Sequence, residues 1–332
     1  MGALEPIRRV SRRHPCPICG RDHWCTYDSE RVFCMRVPSE DGRQAHNGAW
    51  IHSWPGGERP KLTVLERREP NEYLRAPGWA RDRVYAALLQ EASLSDRHQE
   101  ALLARGLSED EIRRHGYRTL PPGGRCELAG RVMERAGLDT LGGIPGFFFS
   151  RRWERWALAG DPGLLIPVRG IGRLVLGWQI RVDRPRGGKY VWLSSAGRPG
   201  GSSSGAPIHL AVPAVEKSPT RWIVEGPLKA NICAERLGAV VLGVAGVASW
   251  REVADILEQT GAEKIVVAYD MDWATNDVVA HHRRQLVGHL LKAGFEVQVA
   301  EWDPRHKGLD DALVAGEKPV LRKAVLAGRG MS

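Results

Sequence analysis

The chain has 332 residues, 42% of them hydrophobic, enough apolar material for two compact domains and a small module, which predicts a globular protein. Its formal charge of +9 suits an anionic partner such as a phosphate backbone, although an arginine-rich composition produces the same balance without one. No stretch approaches the roughly 18 consecutive apolar residues that span a bilayer. The first residues also carry no apolar signal core, so the expectation is a cytoplasmic protein with no membrane partner.

The head of the chain, residues 1–56, contains CPICGRDHWCTYDSERVFC. Cys16 and Cys19 lie in a Pro-Ile-Cys-Gly turn of the kind whose exposed amides support two thiolates on one ion. Cys25 and Cys34 are separated by eight residues, which departs from zinc-ribbon spacing, and His14 or His23 can take the place of either. In a reducing compartment, four thiolates this close in sequence predict a tetrahedral structural Zn²⁺ site made of Cys16, Cys19, Cys25 and Cys34. Trp24, Trp50 and Trp54 flank the module, either as filling for a very small core or as rings that stack on unpaired bases. Cys126 and Cys233, far from this group, read as small buried hydrophobes.

Residues 57–76 are polar and Pro/Gly-punctuated and read as a linker to a mixed α/β domain over 77–218. In SDRHQEALLARG a helix ending at Gly106 places Leu102 and Leu103 on one face. In LSEDEIRRHG, Ser108 and Glu111 have capping-box spacing and Gly116 is a helix stop. GLLIPV and RLVLGWQIRV, split by Gly-Ile-Gly, predict paired strands, and SSAGRPGGSSSGAP over 194–207 predicts a mobile loop.

Over 219–332 the apolar strand candidates RWIVE, AVVLGV, KIVVAYD and EVQVAEW alternate with the helical stretches PLKANICAERLG, SWREVADILEQTG and 276–294. Such alternation predicts a parallel sheet covered by helices on both faces, with functional groups at the carboxyl ends of its strands. Glu225 ends the first strand, Asp270 ends the third with Asp272 just beyond, and Asp310 and Asp311 follow the fourth after Lys307-Gly308. Any one of these acids alone reads as a helix cap or a solvated turn. Gathered at one edge they repel one another unless a cation lies between them, which predicts Mg²⁺ or Mn²⁺. On that view, neutralising one of them leaves the metal-free protein as stable or more so. No Gly-x₄-Gly-Lys-Ser/Thr run occurs, so the sequence carries no P-loop ATPase motif of its own.

IVEGPLKA, LGVAGVASW, VVAYDMD and KGLDDAL, in this order and spacing, resemble a Toprim domain, the fold shared by bacterial primases, topoisomerases and certain nucleases. Upstream, ALLARGLSEDEIRRHGYRTLP and GLLIPVRGIGRLVLGWQIRVDRPRGGKYVWLSS are similar to segments of bacterial primases, so the likeness runs from about Leu94 to Leu313 with a zinc module ahead of it. The wording SSGAP, EGPLKA and KGLDDAL is nearer still to a Toprim-bearing, primase-like family of unknown function found on plasmids, phages and integrative elements.

The resemblance implies that Glu225 is the family's glutamate, that Asp270 and Asp272 are its metal-binding Asp-x-Asp pair, and that Asp310 is its later acid. Arg181 and Lys189 fall on basic positions that meet template or nucleotide, or else are solvated strand residues. Primases place an aspartate where Lys229 stands, and an Ala-Gly pair where this chain has Ala274-Thr275-Asn276. Lys229 is then a phosphate anchor or a salt-bridge partner of the acidic cluster, and it reduces the expected number of bound cations. Lys307 is a further candidate for nucleotide contact.

The implied function is template-directed primer synthesis by metal-dependent nucleotidyl transfer on single-stranded DNA, with nucleoside triphosphates as substrates. A Toprim-type nuclease and a non-catalytic nucleic-acid-binding replication protein are the competing readings.

Overall fold

The structure is a computed structural model, and the residues it describes are 8–11, 14–22, 25–28, 31–45, 48–53, 74–245, 252–271 and 277–325. Contacts group them into two compact units, one within Met1–Arg68 and the other within Glu69–Ser332. His23, Trp24, Trp54, Asp272 and most of the predicted linker lie outside the described residues.

The first unit is a small antiparallel sheet in sequential order, β1 (Arg8–Arg9), β2 (Thr26–Tyr27), β3 (Arg31–Cys34) and β4 (Trp50–Ser53). Its buried cluster consists of Val10, Cys16, Cys25, Val32 and Cys34. Trp50 is only half-buried on β4, so the filling expected of it is supplied by thiols and valines instead.

The second unit begins with α1 (Gly78–Glu91), α2 (Asp96–Leu103) and α3 (Glu109–His115). Ser108 caps α3 reciprocally with Glu111, and Gly116 closes it in the left-handed conformation that costs a glycine least, as the capping-box spacing predicts. Leu102 and Leu103 do not share a fate. Leu102 is buried and Leu103 is exposed, because adjacent helical positions are about 100° apart.

Next come β5 (Arg118–Leu120), α4 (Arg125–Ala136), the hairpin β6 (Phe147–Ser150) and β7 (Arg155–Leu158), then β8 (Gly163–Arg169), β9 (Val175–Val182) and β10 (Tyr190–Trp192). The last three and β5 form an antiparallel sheet in the order β10-β9-β8-β5, with the Gly-Ile-Gly segment turning β8 into β9. Trp178, Ile180 and Leu165 of this sheet pack on Tyr85 and Leu88 of α1 and Val132 of α4. Cys126 on α4 is half-buried, not a core residue, whereas Cys233 is fully buried.

The remaining elements are β11 (His209–Ala211), β12 (Ser218–Glu225), α5 (Pro227–Leu237), β13 (Ala239–Val244), α6 (Val253–Gln259), β14 (Lys264–Val267), α7 (Asp277–Lys292), β15 (Glu296–Glu301), α8 (Leu309–Val314) and β16 (Val320–Lys323). They build a six-stranded sheet in the order β11-β13-β12-β14-β15-β16. The four inner strands are parallel, as their continuous apolar runs predict, and the two edge strands are antiparallel, which the sequence reading did not anticipate. Separate apolar clusters occupy its two faces.

A further cluster crosses the predicted boundary at 218/219, joining Leu102, Ile112 and Tyr117 to Ile166 of β8 and to Leu228 and Ile232 of α5. A buried polar chain reinforces this seam. The Arg169 amide donates to His209 Nδ1 (3.0 Å), His209 Nε2 donates to Asn231 Oδ1 (2.8 Å), and Asn231 Nδ2 donates to the Tyr117 hydroxyl (2.9 Å). Burial holds the His209 imidazole neutral, with its pKa down to about 3. No helix of the described residues is long and apolar enough to cross a membrane.

Candidate functional site

β12 lies between β13 and β14, so successive connections leave it in opposite directions and open a crevice at the carboxyl ends of β12 and β14. Glu225 is the last residue of β12. The Ala268 amide donates to the Ile223 carbonyl (2.9 Å), keeping the chain beyond β14 beside β12 until Asp270, which is buried. A Cβ at Gly243 would stand 2.8 Å from the Gly226 carbonyl oxygen, so glycine at the end of β13 is what lets the β12–α5 turn fold back over it.

Glu225 and Asp270 open onto a cleft of about 440 Å³. Its wall also carries Lys229 from α5, Lys189, Lys307 and Asp311, together with Arg105 from the α2–α3 connection and Gln179 from β9. Four cationic side chains thus face three carboxylates, so the wall carries both acceptors for a cation and donors for an anion.

The acids do not stand as a bare cluster. The Lys229 ammonium donates to both carboxylate oxygens of Asp270, at 2.5 Å to Oδ2. Burial works against the charge on Lys229, but Asp270, then Asp310 and Glu225, more than offset this and raise its pKa, so it stays protonated. Asp310, 1% exposed, turns away from the cleft wall and accepts from Arg105 Nη2 at 2.5 Å, leaving Asp311 on the wall. Gly308 makes this possible, since a Cβ there would lie 2.3 Å from Asp310 Oδ1 and 3.1 Å from Lys229 Nζ. The expectation of mutual repulsion is therefore corrected: two of the carboxylates are compensated by protein cations. Salt-bridge partner is the role in which Lys229 is found.

Lys189 lies among positive charges. Burial, then Arg181, Arg105 and Lys307, lower its pKa. Arg181 does not line the main cleft. It borders a second one of about 300 Å³ that shares the Lys189 wall and includes His98 and Asp183. There His98, which is buried, bridges Thr119 Oγ1 (2.8 Å) and Asp183 Oδ1 (2.9 Å). The sequence reading missed Arg105 and Gln179 as cleft residues, while Asp311, placed beforehand with Asp310 among the acids at this edge, lines the cleft in its stead. Arg105 had a visible signal in the Arg-Gly that ends the α2 segment; a lone polar residue on a strand such as Gln179 had none.

In the first unit the sulfurs of Cys16, Cys19, Cys25 and Cys34 all lie within 4.8 Å of one another, with 3.7 Å between Cys19 and Cys25 and 4.0 Å between Cys25 and Cys34. A tetrahedron with Zn–S bonds of ~2.3 Å has edges of ~3.8 Å, so the four thiols have the dimensions and chemistry of a structural zinc site. The Met35 and Val37 amides each point to a sulfur, of Cys25 and Cys34 respectively, at 3.4 Å. Burial pushes the Cys25 and Cys34 thiols up, so a cation must displace their protons on binding. Among the described residues this is the group with metal-ligand spacing, and Glu225, Asp270 and Asp310 do not form another.

Residues 215–319 match a family model described as a domain of unknown function, DUF3854. No curated protein matches the chain in sequence. Among solved structures, the chain is similar to the zinc-binding and RNA polymerase domains of the Aquifex aeolicus primase, with 17% identity, a TM-score of 0.54, and coverage of 73% of this chain and 62% of that one. It is similar to the RNA polymerase domain of Mycobacterium tuberculosis primase DnaG, in complex with a double-stranded DNA oligomer bearing a 6-nucleotide overhang (18% identity, TM-score 0.52, 73% and 80% covered). A DnaG primase catalytic domain bound to single-stranded DNA matches at 17% identity and a TM-score of 0.50, with 73% and 77% covered. At these identities the likeness is one of fold, and the chain has a primase-like mixed α/β fold.

Proposed function

We propose that the chain is a DNA primase-like replication protein that extends primers on single-stranded DNA by nucleotidyl transfer, with a Toprim domain over 219–332, a primase-type domain over 77–218, and a zinc module over 1–56 joined by a linker at 57–76. The reading extends to the plasmid, phage and integrative-element family and to a cytoplasmic setting with a separate helicase. The observation that carries it is the cleft at the β12/β14 switch point, where Glu225 and Asp270 face Lys189, Lys307 and Arg105.

The carboxylate oxygens of Glu225 and Asp270 suit a hard divalent cation, and Asp272, two residues on in the sequence, is the further ligand proposed. Held there, Mg²⁺ or Mn²⁺ would activate the primer 3′-hydroxyl and neutralise charge as pyrophosphate leaves. Lys189, Lys307 and Arg105 receive triphosphate and template phosphates in the main cleft, and Arg181 extends that basic surface into the neighbouring one. Lys229 supplies a fixed positive charge on Asp270, and Arg105 another on Asp310, so the site calls for one divalent cation and not two. The four thiols would hold a structural Zn²⁺ that serves template recognition and not chemistry.

Purified protein incubated with single-stranded DNA, labelled nucleoside triphosphates and Mg²⁺ or Mn²⁺ should yield short labelled products on a denaturing gel. Shortened template strands in place of products would identify a Toprim-type nuclease. A second reading, a non-catalytic accessory protein, is favoured specifically by the Lys229–Asp270 pair and would give a shifted template with neither synthesis nor cleavage.

A further inference from the structure

The hairpin β6–β7, FFFSRRWERWAL, has no part in the cleft described above. Its pairing register sets Phe148 opposite Ala157 and Ser150 opposite Arg155, which puts these four on one face, while Phe147, fully buried, faces the core with the other. The first face and Trp153 at the tip line a separate cleft of about 510 Å³ whose other wall is the start of α4, including Glu127.

Its aromatic rings carry arginines over them. Trp153 is 58% exposed with the Arg152 guanidinium 4.9 Å from its ring centre, and the Arg198 guanidinium lies 4.4 Å from the centre of Phe148. Arg151, Arg152 and Arg198 have no carboxylate within ion-pairing distance among the described residues. Arg155 has Glu127 at 3.8 Å, with both side chains more than half exposed, a pairing of little strength.

A lone exposed tryptophan is unremarkable on any surface. Here one lies at the rim of a cleft floored by a second ring and surrounded by unneutralised guanidinium groups. Flat π faces alternating with anions are what an unpaired polynucleotide presents, base by base and phosphate by phosphate. A protein partner would have to bring several carboxylates to the same small patch.

We propose that the β6–β7 hairpin is a second contact for single-stranded nucleic acid, in which an unpaired base stacks on Trp153 while neighbouring phosphates are held by Arg152, Arg155 and Arg198. The proposal rests on the nucleic-acid-handling part of the proposed function and not on the chemistry at Glu225 and Asp270.

The test uses the full chain and a 5′-fluorescein 20-mer of deoxythymidine, read by anisotropy. Photocrosslinking with an oligonucleotide containing 5-iododeoxyuridine accompanies it. Trp153→Ala should bind about ten-fold or more weakly, Trp153→Phe should retain most of the affinity, and the paired change Arg152→Ala with Arg155→Ala should flatten the salt dependence. Crosslinks should map within the peptide 147–158. Trp153→Ala binding like wild type, with Arg181→Ala/Lys189→Ala alone weakened, would overturn this proposal and leave the main reading standing. Trp153-dependent binding by a protein that neither makes nor cuts strands would leave this contact in place and remove the polymerase reading. Absence of any oligonucleotide binding would overturn both. Thermal melts should match wild type, because Trp153 lies outside the buried clusters.

Discussion

The Lys229 ammonium bridges both oxygens of Asp270, joining the first turn of α5 to the segment that follows β14 at the point where a catalytic cation is expected. The pair gives Asp270 a protein counter-ion of its own, and it reverses one expectation drawn from the sequence.

Asp270→Asn should therefore lower the stability of the metal-free protein instead of raising it, since it leaves the Lys229 ammonium in a largely buried place without its main partner. Lys229→Met should cost about 2–4 kcal/mol for the same reason, discounted for the partial exposure of Lys229. The two variants should move Mn²⁺ affinity in opposite directions, Asp270→Asn down and Lys229→Met up. Calorimetric Mn²⁺ titrations and melts with and without metal would check this. Equal affinity in wild type and both variants would leave no role for Asp270 in holding a cation.

Purified protein prepared without chelator should contain about one equivalent of zinc. Cys16→Ser should lose it and unfold the small sheet, whose buried cluster consists largely of the ligand sulfurs, while the second unit keeps its own melting transition. Elemental analysis and two-transition melts provide the readout; a protein free of zinc yet folded in this region would remove the metal centre.

Arg181→Ala with Lys189→Ala should weaken single-stranded DNA binding roughly uniformly across sequences and reduce the slope of log affinity against log salt by about 1–2. Lys189 should account for most of the loss of triphosphate affinity, because it lines the main cleft whereas Arg181 lines only its neighbour. Titrations at several salt concentrations would show it, and an unchanged slope would return both residues to the solvated surface.

His209 is neutral in the fold with a pKa near 3, against an ordinary value of 6.5. The unfolded chain therefore takes up a proton between those values that the folded chain refuses. The associated stability is fully present above about pH 6.5 and is lost as pH falls toward 3, at up to about 1.4 kcal/mol per pH unit. Urea titrations from pH 7 to pH 4 should show this slope in wild type and a slope smaller by about one proton in His209→Gln. Identical slopes would mean that the seam does not keep this imidazole neutral.

The elements that were legible beforehand are those governed by neighbours in the chain. The capping box at Ser108 and Glu111, the glycine stop at Gly116 and the apolar strand ending at Glu225 all follow from local hydrogen bonding and from side-chain periodicity, whereas the third strand, expected to run to Asp270, ends at Val267. Alternation of strand and helix was enough to bring Glu225 and Asp270 to one edge, because parallel strands require crossovers and carry their carboxyl ends together. The spacing of the cysteines likewise announced a four-thiol cluster even though half of it departs from ribbon spacing.

Tertiary structure alone decided which charges neutralise which. Whether Lys229 reaches Asp270, whether Asp310 turns inward to Arg105 some two hundred residues earlier in the chain, and whether Asp311 takes its place on the wall depend on how α5, α8 and the α2–α3 connection pack across the seam. Ion pairing between segments distant in sequence leaves no periodic trace, since any exposed lysine or arginine is compatible with many partners until packing selects one. The antiparallel edge strands β11 and β16 escaped notice for a related reason. Short strands at a sheet's edge have weak intrinsic patterns, and their direction is set by the neighbour they pair with.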